Sequence, residues 1–142
     1  MFSFEFNNKI IVGMDVIDIT IPIAHEKVVE DRAITYYNYL NSIENYLVIP
    51  SIILCMKTNV IIDGHHRAWA LKKIGKTTIP VTYIDYDNPD IIPHIDSDIT
   101  KDDIIQSAFT GKLLEPKSSF HHIKGFDGQQ YPIIMISSLF KI

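Results

Sequence analysis

Phe2, Phe4 and Phe6 alternate with Ser3 and Glu5, the period-two pattern of a half-buried strand, and Asn7-Asn8 closes it with a turn signal. Lys9–Val12 and Val16–Ile21 are β-branched runs parted by Gly13, so they predict two short strands, the second ended by Pro22. The period then lengthens. Ala33, Tyr36, Tyr37 and Leu40 recur at helical spacing and predict a helix over 30–39, with His25 as its earliest start. The apolar run from Leu47 to Cys55 contains Pro50 and is far too short to span a membrane; it predicts a buried strand, set at Ser51–Met56. Thr58-Asn59 is a tight turn, and Val60-Ile61-Ile62 is the returning strand. Gly64 breaks that strand, and 66–74 is helical, with Ala68, Leu71 and Ile74 on one side. Lys72-Lys73 suit the negative end of its dipole, and Gly75 suits the position just past its end. Ile79–Tyr83 completes a unit of strand, glycine turn, helix and strand.

Residues 85–97 are acidic and irregular, with Pro89 and Pro93. Thr100 then caps a helix over 101–109, with Asp102 and Asp103 in its first turn and Gly111 at its end. Leu114–His122 reads as a loop, and Tyr131–Phe140 as a final strand or pair. No repeat and no linker divides the chain. Residues 1–142 read as one domain of the α/β (α+β) class, a small mixed sheet with a few helices.

Composition narrows the function more than the fold. At 142 residues, 46% hydrophobic and 21% charged, the chain can bury a real core. Its net charge of −4 argues against holding DNA or RNA on a broad basic surface, although a local phosphate pocket is compatible with it. The single cysteine, Cys55, makes no internal disulfide, and no basic segment followed by an apolar stretch opens the chain; both fit a cytoplasmic setting.

The chemistry concentrates at Asp63-Gly64-His65-His66-Arg67. A strand delivers Asp63 to a sheet edge, Gly64 permits close approach of the backbone to a ligand, and a helix opens immediately after. The free N–H groups of that helix and its positive dipole end attract an anion. Arg67 adds a cationic fork, and His65 and His66 add donors. An acid beside a phosphate is otherwise repelled, so Asp63 is placed to hold Mg²⁺ or take a proton. The bland alternative is a plain helix start, with Asp63 as N-cap and the histidines on the surface.

These residues, with Ala70-Leu71-Lys72-Lys73-Ile74-Gly75 and Ile79-Pro80, resemble the ParB/sulfiredoxin-type fold, and within it the free L-serine kinases, including the siderophore-pathway serine kinase. Three blocks carry the resemblance. Ile19–Arg32, containing His25-Glu26, is similar to the segment bearing the catalytic glutamate of those kinases. The Asp63–Arg67 block is similar to their nucleotide-phosphate turn. Gly111–His121, with Pro116-Lys117-Ser118-Ser119 and His121, is similar to their Pro-Lys-Thr-Thr-Arg-His element, with Phe120 in place of the arginine.

The resemblance implies phosphoryl transfer from ATP or ADP, with Mg²⁺, to the hydroxyl of a free amino acid, L-serine first, giving O-phosphoserine. It implies Glu26 and Asp63 as catalytic residues, Asp63 also as metal ligand, and Gly64, His65, His66 and Arg67 on the nucleotide phosphates. It further implies Lys117, Ser118, Ser119 and His121 on the substrate. Without it, Glu26 is a surface or first-turn carboxylate, with Glu30 as its competitor, and Lys117 is a solvated lysine. The rival function is a ParB-like nucleotide-binding regulatory or DNA-partition module, which the acidic net charge and the lack of a following helix-turn-helix disfavour. A sulfiredoxin-like reductase needs a cysteine in the turn, where His65 and His66 stand. Zinc on the paired histidines lacks a familiar ligand spacing. Cys55 reads as an inert core residue, and Trp69, Tyr36 and Tyr37 as packing.

Overall fold

The computed structural model describes residues 4–43 and 48–141. Its centre is a four-stranded mixed sheet in the order β1-β5-β3-β4, made of β1 (Ile11–Asp18), β3 (Ile52–Cys55), β4 (Ile61–Asp63) and β5 (Thr78–Ile84). β5 runs antiparallel to β1 and parallel to β3, and β3 turns back antiparallel onto β4. The β3–β4 turn uses Asn59 at φ 61°, a left-handed position that asparagine tolerates.

β3 explains why this sheet is the core. All of its residues are buried, and alternation sends them to opposite faces. Ile52 and Leu54 pack with Leu40, Leu71, Ile79 and Val81 on the side of helices α1 (Glu30–Asn41) and α2 (His65–Lys73). Ile53 and Cys55 pack with Ile84, Ile104, Ile123 and Ile133 on the side of α3 (Lys101–Thr110). Each fully buried Ile or Leu contributes about 1.5–3 kcal/mol, so one strand anchors both layers. Two small antiparallel sheets complete the fold. One joins β2 (Val48–Pro50) to β9 (Leu139–Lys141); the other orders β6 (Ile91–Ile92), β7 (His122–Lys124) and β8 (Gln130–Pro132). Among the described residues, no helix is long and apolar enough to cross a membrane.

Four expectations are corrected. The alternating phenylalanines form no strand over the described part: Phe4 and Phe6 pack as irregular chain on the core, Phe4 stacked on Tyr131 at 4.1 Å between ring centroids. Phe2 and Ser3 lie outside the described residues, as does Leu47. Gly13 does not separate two strands; β1 runs through it, and the interruption is only a register shift between Ile11 and Gly13 opposite β5. The run ending at Cys55 is two strands in different sheets, parted at buried Ser51: its N–H donates to the Ser138 carbonyl at 2.8 Å, its hydroxyl accepts the Ser138 N–H at 3.0 Å, and the same hydroxyl pairs with that of Thr82 at 2.7 Å. His25 is not the start of α1; it lies in the segment after Ile23, which forms an isolated parallel bridge with Val60, the residue before β4. α3 is capped as expected, with a reciprocal box between Thr100 and Asp103 and Gly111 in the left-handed region. Gly75, at φ 90°, does the same for α2.

Candidate functional site

β4 ends at Asp63, and the chain turns into α2 through Gly64 at φ 110°. A Cβ on Gly64 would lie 2.8 Å from Ile52 Cδ1 and 2.9 Å from Arg67 Nη2. The space beside the glycine is therefore filled by the protein's own Arg67 rather than kept open for a ligand. Arg67 is folded back: Nη2 donates to the Ser51 carbonyl and to Asp63 Oδ2, each at 3.1 Å. Its side chain is 11% exposed. It thus fixes the direction of Asp63, and its buried Nε has no partner among the described residues.

The two histidines of the turn act on backbone. His65 Nε2 accepts the N–H of His25 at 3.1 Å, and His66 Nε2 accepts the N–H of Val29 at 2.9 Å. Val29 is the residue before α1 and has no side-chain cap, so His66 satisfies a donor that the helix start leaves open. Together they staple the segment 25–29 across the mouth of the turn. Both are held neutral. Burial, with the neighbouring His25 and His121, lowers His65 well below its ordinary value, and burial with Arg32 and Arg67 lowers His66.

The stapled segment carries Glu26, and residue 114 holds it from the other side through a parallel bridge to Leu114. Glu26 Oε1 accepts the Ser119 N–H at 3.0 Å. Burial raises its carboxyl above the usual range, and the charge of Asp63 adds to the rise. Beneath it, His25 is fully buried, with Nδ1 2.6 Å from the Ile61 carbonyl and Nε2 2.9 Å from Ser119 Oγ. His121 is buried too; its Nε2 meets the Tyr86 hydroxyl at 2.8 Å. The His25 ring stands edge-on to His65, with centroids 4.5 Å apart.

These groups border one cleft of ≈ 760 Å³, whose walls include Glu26, Asp63, Arg67, Lys117, Ser119 and His121. That volume is in the range of small-molecule sites. Arg32, Tyr36 and His94 also line it. Arg32 and Lys117 form no ion pair among the described residues. Lys117 sits at φ 66°, a strained backbone for a non-glycine residue.

The structure brings together nine of the ten residues expected at a site: Glu26, Asp63, Gly64, His65, His66, Arg67, Lys117, Ser119 and His121. Ser118 is turned away, its hydroxyl donating to the Glu115 carbonyl at 2.6 Å. Sequence reasoning passes over His25, as a hydrogen-bonding centre, and His94, as a wall; Arg32, which the sequence leaves open to binding phosphate or pairing with an acid, is also a wall. A metal would find hard oxygen donors on Asp63 and Glu26, whose like charges already disfavour each other. Among the described residues, His25, Glu26 and His65 also place ligand atoms within 4.8 Å of one another.

No protein-family model and no curated protein matches the chain. Solved structures do. Free serine kinase in complex with AMP superposes with a TM-score of 0.51 at 20% identity, over 66% of this chain and 38% of that one. A variant of free serine kinase in complex with ADP gives a TM-score of 0.51 at 19% identity with the same coverage. C-terminally truncated SbnI from Staphylococcus aureus gives 0.47 at 20% identity, over 56% of this chain and 34% of that one. The chain therefore has the fold expected from its resemblance to the serine kinases, and it spans 38% of the length of the free serine kinases it matches.

Proposed function

We propose that this chain is a small-molecule kinase, transferring a phosphoryl group from ATP or ADP to the hydroxyl of a free amino acid, L-serine first. The observation that carries the reading is the meeting, in one cleft, of the Glu26 carboxylate with a strand–glycine–helix turn and the cations Arg32 and Lys117. The free N–H groups at the start of α2 suit phosphate oxygens. Asp63, oriented by Arg67, would hold Mg²⁺, which supplies neutralisation of phosphate charge. Glu26, raised by burial, is suited to accept a proton.

In the reaction the acceptor hydroxyl oxygen attacks phosphorus. The bond from phosphorus to the bridging oxygen of the nucleotide breaks, and that oxygen keeps the electron pair. The hydroxyl proton passes to Glu26. Lys117 and Arg32 offset charge on the transferring group, and most of the acceleration comes from positioning. The reading takes residues 1–142 as one domain acting in the cytoplasm, where Cys55 stays a thiol.

The test is phosphorus NMR of wild-type protein with Mg²⁺, ATP or ADP, and L-serine, beside calorimetry of nucleotide binding. A phosphoserine resonance that disappears in Asp63→Asn is expected. Nucleotide binding without any phosphorylated hydroxyl compound would instead favour a nucleotide-binding regulatory module.

A further inference from the structure

Three metal-ligating side chains meet beside the cleft from parts of the chain that no local spacing links. Among the described residues, His25, Glu26 and His65 each place a ligand atom within 4.8 Å of the others. His25 and His65 stand 40 positions apart in sequence. The adjacent histidine pairs that the sequence displays are therefore not the set: one member of the turn joins a histidine from the segment before α1. Glu26 and His65 line the cleft, so an ion reaches the cluster through it. His25 lies beneath, fully buried.

The ring of His25 is set as a ligand. The Ile61 carbonyl only accepts, so Nδ1, 2.6 Å from it, carries a proton. Burial disfavours a second proton, which leaves a lone pair at Nε2. A metal-bound histidine has this arrangement: its far N–H on a backbone carbonyl, its other nitrogen fixed toward the ion. Ser119 Oγ lies 2.9 Å from that lone pair and 3.5 Å from Glu26 Oε1. The hydroxyl thus adjoins both a histidine nitrogen and a carboxylate oxygen, and a change of χ1 rotamer removes it. His65 is held neutral as well; its Nε2 lone pair accepts the His25 N–H at 3.1 Å, a contact that a metal–nitrogen bond would replace. The Ser119 and Ser118 N–H groups hold the Glu26 carboxylate, and its two oxygens keep further lone pairs for an ion.

We infer that His25, Glu26 and His65 form a site for a borderline divalent cation of the zinc class, separate from the Mg²⁺ that Asp63 would hold. Two imidazoles and one carboxylate suit Zn²⁺ and Co²⁺, whereas Mg²⁺ takes oxygen ligands. Tetrahedral zinc keeps its ligands at about 2.0–2.2 Å, and hence about 3.4 Å from one another. The cluster, whose ligand atoms lie within 4.8 Å, therefore tightens on binding. Glu26, a flexible side chain that is only half-buried, supplies the movement. Three protein ligands leave a fourth position for water. The site rests on this geometry alone. Its consequence rests on the kinase reading: zinc takes Glu26 from the acceptor hydroxyl, so it inhibits where Mg²⁺ supports the reaction.

Calorimetry and visible spectroscopy test this on the full chain after treatment with a chelator. Wild type should take up Zn²⁺ that a large excess of Mg²⁺ does not displace. Co²⁺ in its place should show the intense visible bands of a four-coordinate ion. Removing even an outer partner of a metal ligand weakens binding about 10–100-fold, so His25→Gln and Glu26→Gln should each lose at least that much. Circular dichroism checks folding, and Glu26→Gln carries the test if buried His25→Gln does not fold. Ser119→Ala should bind zinc at least as tightly as wild type, because its hydroxyl competes for His25 Nε2. His94→Ala, in the cleft wall but outside the cluster, should match wild type. No zinc uptake, displacement by Mg²⁺, or full affinity in folded Glu26→Gln would overturn the site. So would a loss in Ser119→Ala, or a loss in Asp63→Asn or His94→Ala as large as that in Glu26→Gln. Zinc bound through Glu26 without inhibiting phosphoserine formation keeps the site and overturns the role of Glu26 as base. Zinc bound through Glu26 in a chain that phosphorylates nothing keeps the site and sinks the kinase.

Discussion

Glu26 is held where its charge is costly. It is half-buried, it faces the charge of Asp63, and its carboxyl is raised as a result. A folded-state value above the unfolded one means that the ionised form destabilises the fold at neutral pH, and that this cost vanishes once the carboxyl is protonated. Glu26→Gln should therefore melt higher than wild type at pH 7, with the difference closing as pH falls through the carboxylate range. Its kcat should fall roughly 10²–10⁴-fold, the usual loss for a general base. A lower melting temperature at pH 7 with full activity would remove Glu26 from the site. Lys117 separates charge from backbone in the same way. At φ 66°, a glycine substitution relieves a left-handed strain that alanine keeps. Lys117→Ala and Lys117→Gly should lose equal activity, in KM for the acceptor or in kcat, while only the glycine variant gains stability in urea unfolding. Unequal activities would mean that the loop's backbone, not the cation, matters.

At the level of elements, what was legible in the sequence tracks how local its cause is. The strand–Gly64–helix turn and the α3 box are set by residues a few positions apart, and each is found where its pattern puts it. Thr100 is a clean probe. Its side chain accepts the Asp103 N–H at 3.1 Å, and it borders no part of the cleft. Thr100→Ala should cost about 1 kcal/mol in urea unfolding and leave nucleotide affinity unchanged; a change in affinity would couple α3 to the site. Other features depend on distant partners. His25 bonds residues 36 and 94 positions away, so nothing near it in sequence marks it as a centre of the site. β7 is not visible in the sequence, where His122 ends a loop, because His122-Ile123-Lys124 is too short to show a period. Arg67 carries the right chemistry for phosphate, yet only the structure shows its Nη2 bonded to Ser51 and Asp63.

Across the whole molecule, three buried histidines join elements that are remote in the chain: His25 from the segment before α1, His65 from α2 and His121 before β7. All three are pushed below their ordinary value, chiefly by burial. The groups around His25 are the Ile61 carbonyl, Ser119, His65 and His121. The Glu26 carboxylate also places an oxygen within 4.8 Å of a His25 ring nitrogen, but burial outweighs it and holds His25 low. For such a group the unfolded chain binds the proton first, so stability rises with pH between the folded and unfolded values. For His25 the window runs from about 4 to 6.5. Its full contribution is roughly 3 kcal/mol, at about 1.4 kcal/mol per pH unit. The carboxylates whose values are lowered, Asp18, Asp87 and Asp127, are protonated only below 3.8, outside that window. Glu26 acts in the opposite sense, gaining stability as it protonates. Urea unfolding followed from pH 7.5 to 4.5 should therefore show stability falling as the pH drops below 6.5, and His25→Gln should flatten that slope. Because the same histidines hold residues 25–29, the α2 turn and the 114–122 loop together, nucleotide affinity should fall over the same range. A stability curve that stays level from pH 7 to 5 would mean that the histidines are not held neutral.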